Sequence, residues 1–257
     1  MSISQRGAIT VVKLGGRTQG DPELPAALAA LWQRTGGRLV IVHGGGDQIS
    51  SLQRMRGEEP EFINGRRVSS PLVLELVRMV LSGAANKQLV SALTAAGAPA
   101  VGISGEDAAM LPAVPLDAER FGSSGTPGAF RPSLVLHLLD GGYLPVVSPV
   151  AVNSDLHAHG ALNVNGDDAA ASIAIGLGAE ELMLMIDVEG MLDAQKQLIP
   201  ALNLTEANAL VATGVAGGGM AAKIEACAMA LAGRVGRVRI GNLVALSRAD
   251  GGTLVTP

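Results

Sequence analysis

Five short stretches of this chain hold the residue types from which phosphate chemistry can be built. The first is "VVKLGG", where Lys13 ends an apolar run and Gly15 and Gly16 follow. A lone ammonium is costly to bury inside an apolar strand. Either the lysine snorkels at a sheet edge, or it is aimed at a phosphate with glycine N–H groups beside it. The second stretch is "VHGGGDQ", in which His43 is followed by Gly44, Gly45 and Gly46. Glycine gives up more conformational freedom on folding than other residues, so three in a row at an ordered junction need a reason. A tight strand-to-helix turn is one. Anionic oxygens lying against bare backbone N–H groups at a helix start are another. His43 itself reads as a packed, hydrogen-bonded core histidine rather than a base.

The third stretch, "NGRRVSS", sets Arg66 beside Arg67 in a turn-rich segment. The pair is either a solvated face or a fork for a carboxylate. The fourth is "NVNGDDAA". Asn163, Asn165 and Asp167 alternate, so they are expected to face one side of an extended segment. Asp167 or Asp168 could instead be the N-cap of the helix that follows. The alternative is a polar comb that holds a small ligand and orients a lysine. The fifth, "GGGMAAKIEA", runs from Gly217 through Gly219 into a helix carrying Lys223, which reads as an anion site or a plain turn.

Other chemistries find little support. No GxxxxGK[ST] or GxGxxG occurs, so neither a Walker loop nor a dinucleotide fingerprint is present. No GxSxG supplies a hydrolase elbow. His157 and His159 lack cysteine or acidic partners at ligand spacing, so no metal site is expected there.

The elements that must carry these residues repeat a simple rhythm. "AITVVKLGG", "RLVIVHGGG", "APAVGISGED", "LPVVSPVAV", "ELMLMIDVEG" and "GRVRIGN" read as strands. "ELPAALAALWQRTGG", "FRPSLVLHLLDGGY", "GDDAAASIAIGLGAE" and "AAKIEACAMALAGRV" read as helices between them. "PLVLELVRMVLSGAANKQLVSALTAAG" is one long helical pattern or two broken near Gly83. Alternating helices and apolar strands predict a mainly parallel sheet covered on both faces, with ligands at the C-terminal strand ends. "MRGEEPEFINGRRVSS" interrupts the rhythm and predicts a hairpin or lid; "AVPLDAERFGSSGTPGAFRP" has the same character.

The chain has 257 residues, 48% of them hydrophobic and 16% charged, which suits one large domain or two lobes. Aromatic residues are 2%, too few for base-stacking surfaces, and a net charge of -4 gives no basic footprint, so no nucleic acid partner is expected. A lone Cys227 excludes an internal disulfide framework and suits a reducing compartment. With no leader pattern and no membrane-length apolar run, a cytoplasmic setting without membrane contact is expected.

The order of the stretches carries more than any one of them. VKLGG, VHGGG, NGRRV, GAANKQLV, VGISGED, LPVVSPV, NVNGDDAA, MLMIDVEG and GGMAAKIEA succeed one another from about Ile9 to about Ile240. Over that length the chain resembles the amino acid kinase family. NGRRV with NVNGD narrows the resemblance to the members that bind N-acetyl-L-glutamate. It implies a three-layer αβα open sandwich with a mainly parallel central sheet. It implies that residues up to about 170 hold the amino acid and make a homodimer contact, and that about 171–257 hold ATP. The implied reaction moves a phosphoryl group from ATP, with Mg2+, to the side-chain carboxylate of N-acetyl-L-glutamate, the second step of arginine biosynthesis. Such a carboxylate is already ionised, so the transfer requires positioning and charge stabilisation rather than a general base.

By the same resemblance, Lys13 and Lys223 hold the transferring group and Asp167 keeps the two lysines oriented. Gly15, Gly16 and Gly45 offer N–H groups to it. Arg67 clamps a substrate carboxylate, and Gly45, Gly46 and Asn163 complete that pocket. The nucleotide lies along residues 187–192 and 215–217, with Asp187, Val188, Gly190 and Gly217 against it. Asp47 stands where the family often has proline, Arg66 where an apolar residue is usual, and Gly166 where alanine is common. "GGT" arrives early after "VRIGN", so a shortened last helix is expected. Only 12 residues precede Lys13, which points to the arginine-insensitive dimer rather than the hexamer. Two rivals remain. One is a kinase for glutamate or aminoadipate on an acidic carrier protein, for which Arg66 beside Arg67 is a hint of a basic rim and the net acidity a counter-argument. The other is a silent sensor, against which the presence of Lys13, Asp167 and Lys223 speaks.

Overall fold

The computed structural model describes residues 7–15, 17–154, 160–217, 219–248 and 250–257. The predicted rhythm is present from the start, with β1 (Thr10–Leu14), α1 (Leu24–Arg34), β2 (Leu39–His43) and α2 (Gly46–Met55). A hairpin follows, β3 (Phe62–Ile63) and β4 (Arg66–Arg67), then α3 (Pro71–Val77) and α4 (Asn86–Ala95). Next come β5 (Ala100–Gly105), β6 (Pro112–Pro115), α5 (Ala118–Phe121), β7 (Ser124–Pro127), α6 (Ser133–Asp140), β8 (Leu144–Asn153) and β9 (Ala161–Val164). The remainder is α7 (Gly166–Leu177), β10 (Glu181–Met185), β11 (Ala201–Asn203), α8 (Leu204–Ala212), α9 (Met220–Ala232), β12 (Arg237–Gly241), α10 (Leu243–Ser247) and β13 (Thr253–Thr256).

Eleven strands share one sheet, ordered β11-β13-β12-β10-β1-β2-β8-β6-β7-β9, with β5 paired to β8 off this path. The centre is parallel: β1 lies between β2 and β10, with Lys13 level with Val42 and Leu184. Antiparallel pairs occur between β12 and β13, β6 and β7, and β8 and β9. The sheet runs without a break through the expected boundary near residue 170, which falls inside α7.

The central strands are apolar on both faces because both are covered. Val11, Val40, Val42, Leu182 and Leu184 pack with the α7 and α9 residues Ile173, Ala174, Ile224 and Cys227. The alternate residues Val12, Leu14, Ile41, Met183 and Met185 pack with Leu24 and Leu28 of α1 and Leu89 and Leu93 of α4. This period-two alternation puts Lys13 on the α7–α9 side and His43 on the α4 side. The layers are those of the expected αβα sandwich.

The predicted hairpin forms, and its Asn64-Gly65 turn has φ of 50° and 76°. Two consecutive positive φ values make the tight turn that Asn-Gly favours, because its twist matches that of the strands. The long helical pattern does not break at Gly83; a π-helical stretch, Arg78–Ala85, carries it from α3 to α4. The last helix, α10, is five residues long. Among the described residues, no helix is long and apolar enough to cross a membrane.

Candidate active site

Three chemistry-bearing residues from separate elements meet at the C-terminal edge of the central strands. Lys13 stands one residue from the end of β1, Asp167 in the first turn of α7, and Lys223 in the first turns of α9. Lys13 Nζ lies 2.8 Å from Asp167 Oδ1, and Lys223 Nζ 3.2 Å from Oδ2. Each carboxylate oxygen of Asp167 thus faces its own ammonium at hydrogen-bond distance. Burial alone would push the Asp167 carboxyl up; the two ammoniums outweigh it and hold the group below its ordinary value. Two cations around one carboxylate leave one positive charge in excess, facing a groove. The high cost of burying Lys13 is thereby offset on one side only.

Asp167 reaches this place by a route the sequence pattern did not give. The expected alternation of Asn163, Asn165 and Asp167 stops where β9 ends at Val164. Asn165, not Asp167 or Asp168, is the N-cap: its side chain accepts from Asp167 N at 2.8 Å and Asp168 N at 3.4 Å. That cap frees both carboxylates to point at cations.

The "HGGG" junction turns from β2 into α2. Asn86 Nδ2 donates to Val146 O at 2.9 Å and to His43 Nε2 at 3.0 Å. His43 Nε2 is therefore an acceptor, and Nδ1–H donates to Gly44 O at 2.9 Å. The ring is fully buried and hydrogen-bonded, the packed core histidine of the sequence reading, and burial lowers its pKa from the ordinary 6.5. A histidine with a depressed folded pKa gives stability that is present above 6.5 and lost as pH falls below it. Urea unfolding at pH 7.5 and 5.5 is thus expected to show lower stability at 5.5, and His43→Gln a smaller difference. An equal difference in both proteins would place the acid sensitivity elsewhere. At Gly45 a Cβ would lie 2.7 Å from Leu81 Cδ2, so a larger residue here would have to displace that side chain.

Arg67 is 6% exposed, yet no carboxylate among the described residues pairs with it. Nη1 donates to Gln53 Oε1 at 2.8 Å, and Nη2 to Gly46 O at 2.9 Å and Ser50 Oγ at 2.8 Å. The Phe62 ring lies 4.6 Å away, a cation–π contact. Burial, with Arg54 nearby, pulls its pKa below the ordinary value; Asp47 opposes this. A buried guanidinium held by neutral partners suits an incoming anion. Gly45, Gly46, Arg67, Leu81, Ser124 and Asn163 line one cavity with it, and Asn163 Nδ2 is held by Ser69 Oγ at 3.0 Å.

Arg66 behaves differently. It is paired with Asp168 at 2.9 Å and with Glu225 at 2.8 Å, partners that the sequence reading missed because they lie 102 and 159 positions away. Burial still pushes the Asp168 carboxyl up, only partly offset by Arg66.

The cavity at Arg67, the acid cavity of the functional proposal below, continues past Gly44, Gly45 and Gly46 into a space lined by Lys13, Asp167 and Lys223. That space opens into a third, lined by Gly15, Asp47, Asp187, Val188, Gly217 and Lys223. Among the expected nucleotide residues, Gly190 lies outside this lining: it is a buried packing glycine, where a Cβ would lie 2.5 Å from Thr253 Oγ1. Gly16, His157 and His159 lie outside the described residues.

Comparisons with known proteins show what the chain as a whole is similar to. The sequence profile described as the amino acid kinase family matches residues 8–242. An acetylglutamate kinase of Sulfurovum sp. (strain NBC37-1) is 39% identical over 233 residues, which is 90% of this chain and 82% of that protein. The crystal structure of smu.665 from Streptococcus mutans UA159 superposes with a TM-score of 0.85 at 28% identity, covering 96% of this chain and 98% of that one. The carbamate kinase of Giardia shares the fold, with a TM-score of 0.70 at 18% identity over 98% of this chain and 99% of its own.

Proposed function

From the premise that the chain belongs to the amino acid kinase family, we infer that it phosphorylates the side-chain carboxylate of N-acetyl-L-glutamate at the expense of ATP. The product is an acyl phosphate, and the reaction is an early step of arginine biosynthesis. The observation that carries this reading is the buried Lys13–Asp167–Lys223 cluster beside a buried Arg67 that lacks an anionic partner.

The residues divide the work by charge. Arg67 holds a carboxylate of the acid, and Gly45, Gly46 and Asn163 shape the space around it. The acid's side-chain carboxylate then points past the glycines towards the two lysines. Phosphoryl transfer spreads negative charge over the moving group, and Lys13 and Lys223 meet it from two elements. Asp167 fixes both ammoniums before the reaction, so little reorganisation is left for the transition state. Gly15, Asp187, Val188 and Gly217 offer the opening on the far side for the nucleotide. Among the described residues, no three metal-ligating side chains converge. Magnesium belongs to the same proposal, arriving on the nucleotide phosphates with most of its own water. The halves before and after about residue 170 then serve the acid and the nucleotide, and a homodimer belongs to the same proposal.

The carrier-protein rival loses its hint, since Arg66 is neutralised by Asp168 and Glu225 rather than offering a basic rim. The test is a hydroxylamine trap for acyl phosphate with MgATP on N-acetylglutamate, glutamate, aspartate and N-acetylaminoadipate. Hydroxamate with N-acetylglutamate alone is expected; none with it would overturn the assignment. In the same assay Arg67→Ala is expected to raise the acetylglutamate KM by about 10-fold or more, the worth of a charge-assisted contact, with a smaller change in kcat. An unchanged KM would move the clamp off Arg67.

A further inference from the structure

The reaction as derived leaves Arg66 without a task, although it touches both sides of the groove. Its Nε donates to Asp168 Oδ2 at 3.1 Å and its Nη2 to Asp168 Oδ1 at 3.3 Å. The same Nη2 donates to Glu225 Oε2 at 2.8 Å. Each end of this network borders a residue of the reaction. Arg66 precedes the carboxylate clamp Arg67, Asp168 follows the lysine-orienting Asp167, and Glu225 stands two residues past Lys223 on α9. Both arginines border the acid cavity, but their guanidiniums diverge: that of Arg67 is held by Gln53, Gly46 and Ser50, and that of Arg66 by Asp168 and Glu225. The hairpin tip packs at the same place: a Cβ on Gly65 would lie 3.4 Å from Ala222 Cβ on α9, and Asn165 Nδ2 donates to Gly65 O at 3.3 Å.

We propose that Arg66 is a positioning residue that clips the acid-binding hairpin to α9, so that seating the acid at Arg67 and setting Lys223 for transfer are coupled. The proposal rests on the functional reading above for the identity of the two ligands. Its two arms differ. The Asp168 side chain is 10% exposed, so that arm is the fixed one. The Glu225 side chain is 57% exposed, so its arm lies in water and is the one that can open and close at small cost. Coupling of this kind is reciprocal: whatever factor nucleotide adds to acid affinity, acid adds to nucleotide affinity.

The test uses Glu225→Gln, which removes the charge of the movable arm, leaves Arg66 on Asp168 and changes only an exposed side chain. Calorimetric titration of acetylglutamate with and without a non-hydrolysable ATP analogue reads the coupling factor directly. Wild-type protein is expected to bind the acid more tightly with the analogue present, and Glu225→Gln to lose about 2- to 5-fold of that gain, the worth of an exposed ion pair. Binding of acid alone and the melting temperature should stay as in wild type. Arg66→Met removes both arms and should lose more, and Arg66→Met with Glu225→Gln should lose no more than Arg66→Met. A second readout needs no acid: the analogue should slow amide exchange over residues 61–68 in wild type and not in Glu225→Gln. Equal coupling and equal hairpin exchange in the two proteins would overturn the clip. Slowed hairpin exchange in a wild type that binds no acetylglutamate would sink the functional reading and leave the clip standing.

Discussion

Replacing Lys223 with alanine is expected to lower kcat by about 100-fold or more while the acetylglutamate KM changes little. Lys223 lines the space beyond the glycines, sits on the other carboxylate oxygen of Asp167 from Lys13, and is not among the residues that line the acid cavity. Its ammonium is therefore placed for charge that appears only as the phosphoryl group moves. An interaction made only in the transition state lowers kcat and kcat/KM together when it is removed. The fold should tolerate the change, because Lys13 still pairs with Asp167 at 2.8 Å. Steady-state kinetics with acyl phosphate trapping reads the effect. Turnover within a few-fold of wild type would remove Lys223 from the chemistry.

The second large effect is on Asp167→Asn, and it should strike both stability and rate. The carboxylate neutralises part of two buried ammoniums, with side-chain exposures of 9% for Lys13 and 15% for Lys223. Asparagine keeps the shape and removes the charge. Breaking a buried ion pair by removing one partner typically costs about 3–5 kcal/mol, because the other charge is stranded. The Asp167 pKa lies below its ordinary 3.8, so its contribution is fully present above that pH and is lost as pH falls through the lower folded value. Urea unfolding at neutral pH should therefore show the full deficit, and the deficit should shrink below pH 3.8. Turnover should fall as well, since neither lysine keeps its fixed direction. A variant as stable as wild type at neutral pH would mean that the two lysines find other partners, and the orienting role would fail.

Much of this was legible along the chain for a plain reason. Apolar periodicity is local, so strands such as Thr10–Leu14 and helices such as Gly166–Leu177 announce themselves. Asn64-Gly65 carries its own turn preference, so the hairpin was legible too. Lys13 was conspicuous because a charge in an apolar strand demands a partner. The ordered series of stretches implied phosphoryl transfer through its resemblance to the amino acid kinase family before any contact was known.

What the linear order could not carry was partnership. Lys13 and Lys223 lie 210 positions apart, and only the β1 register and the seating of α7 and α9 against one sheet face bring them to the same carboxylate. Capping was decided by three-dimensional geometry as well: Asn165, Asp167 and Asp168 are all capable caps, and the end of β9 at Val164 selects the first. Arg66 and Arg67 show the division most sharply. By type they are identical neighbours, but among the described residues Arg67 is held by the neutral Gln53, Gly46 and Ser50, whereas Arg66 is paired with Asp168 and Glu225. Residue type fixes what a side chain can do; which charges meet, and which is left facing a groove, depends on long-range packing that no local pattern encodes.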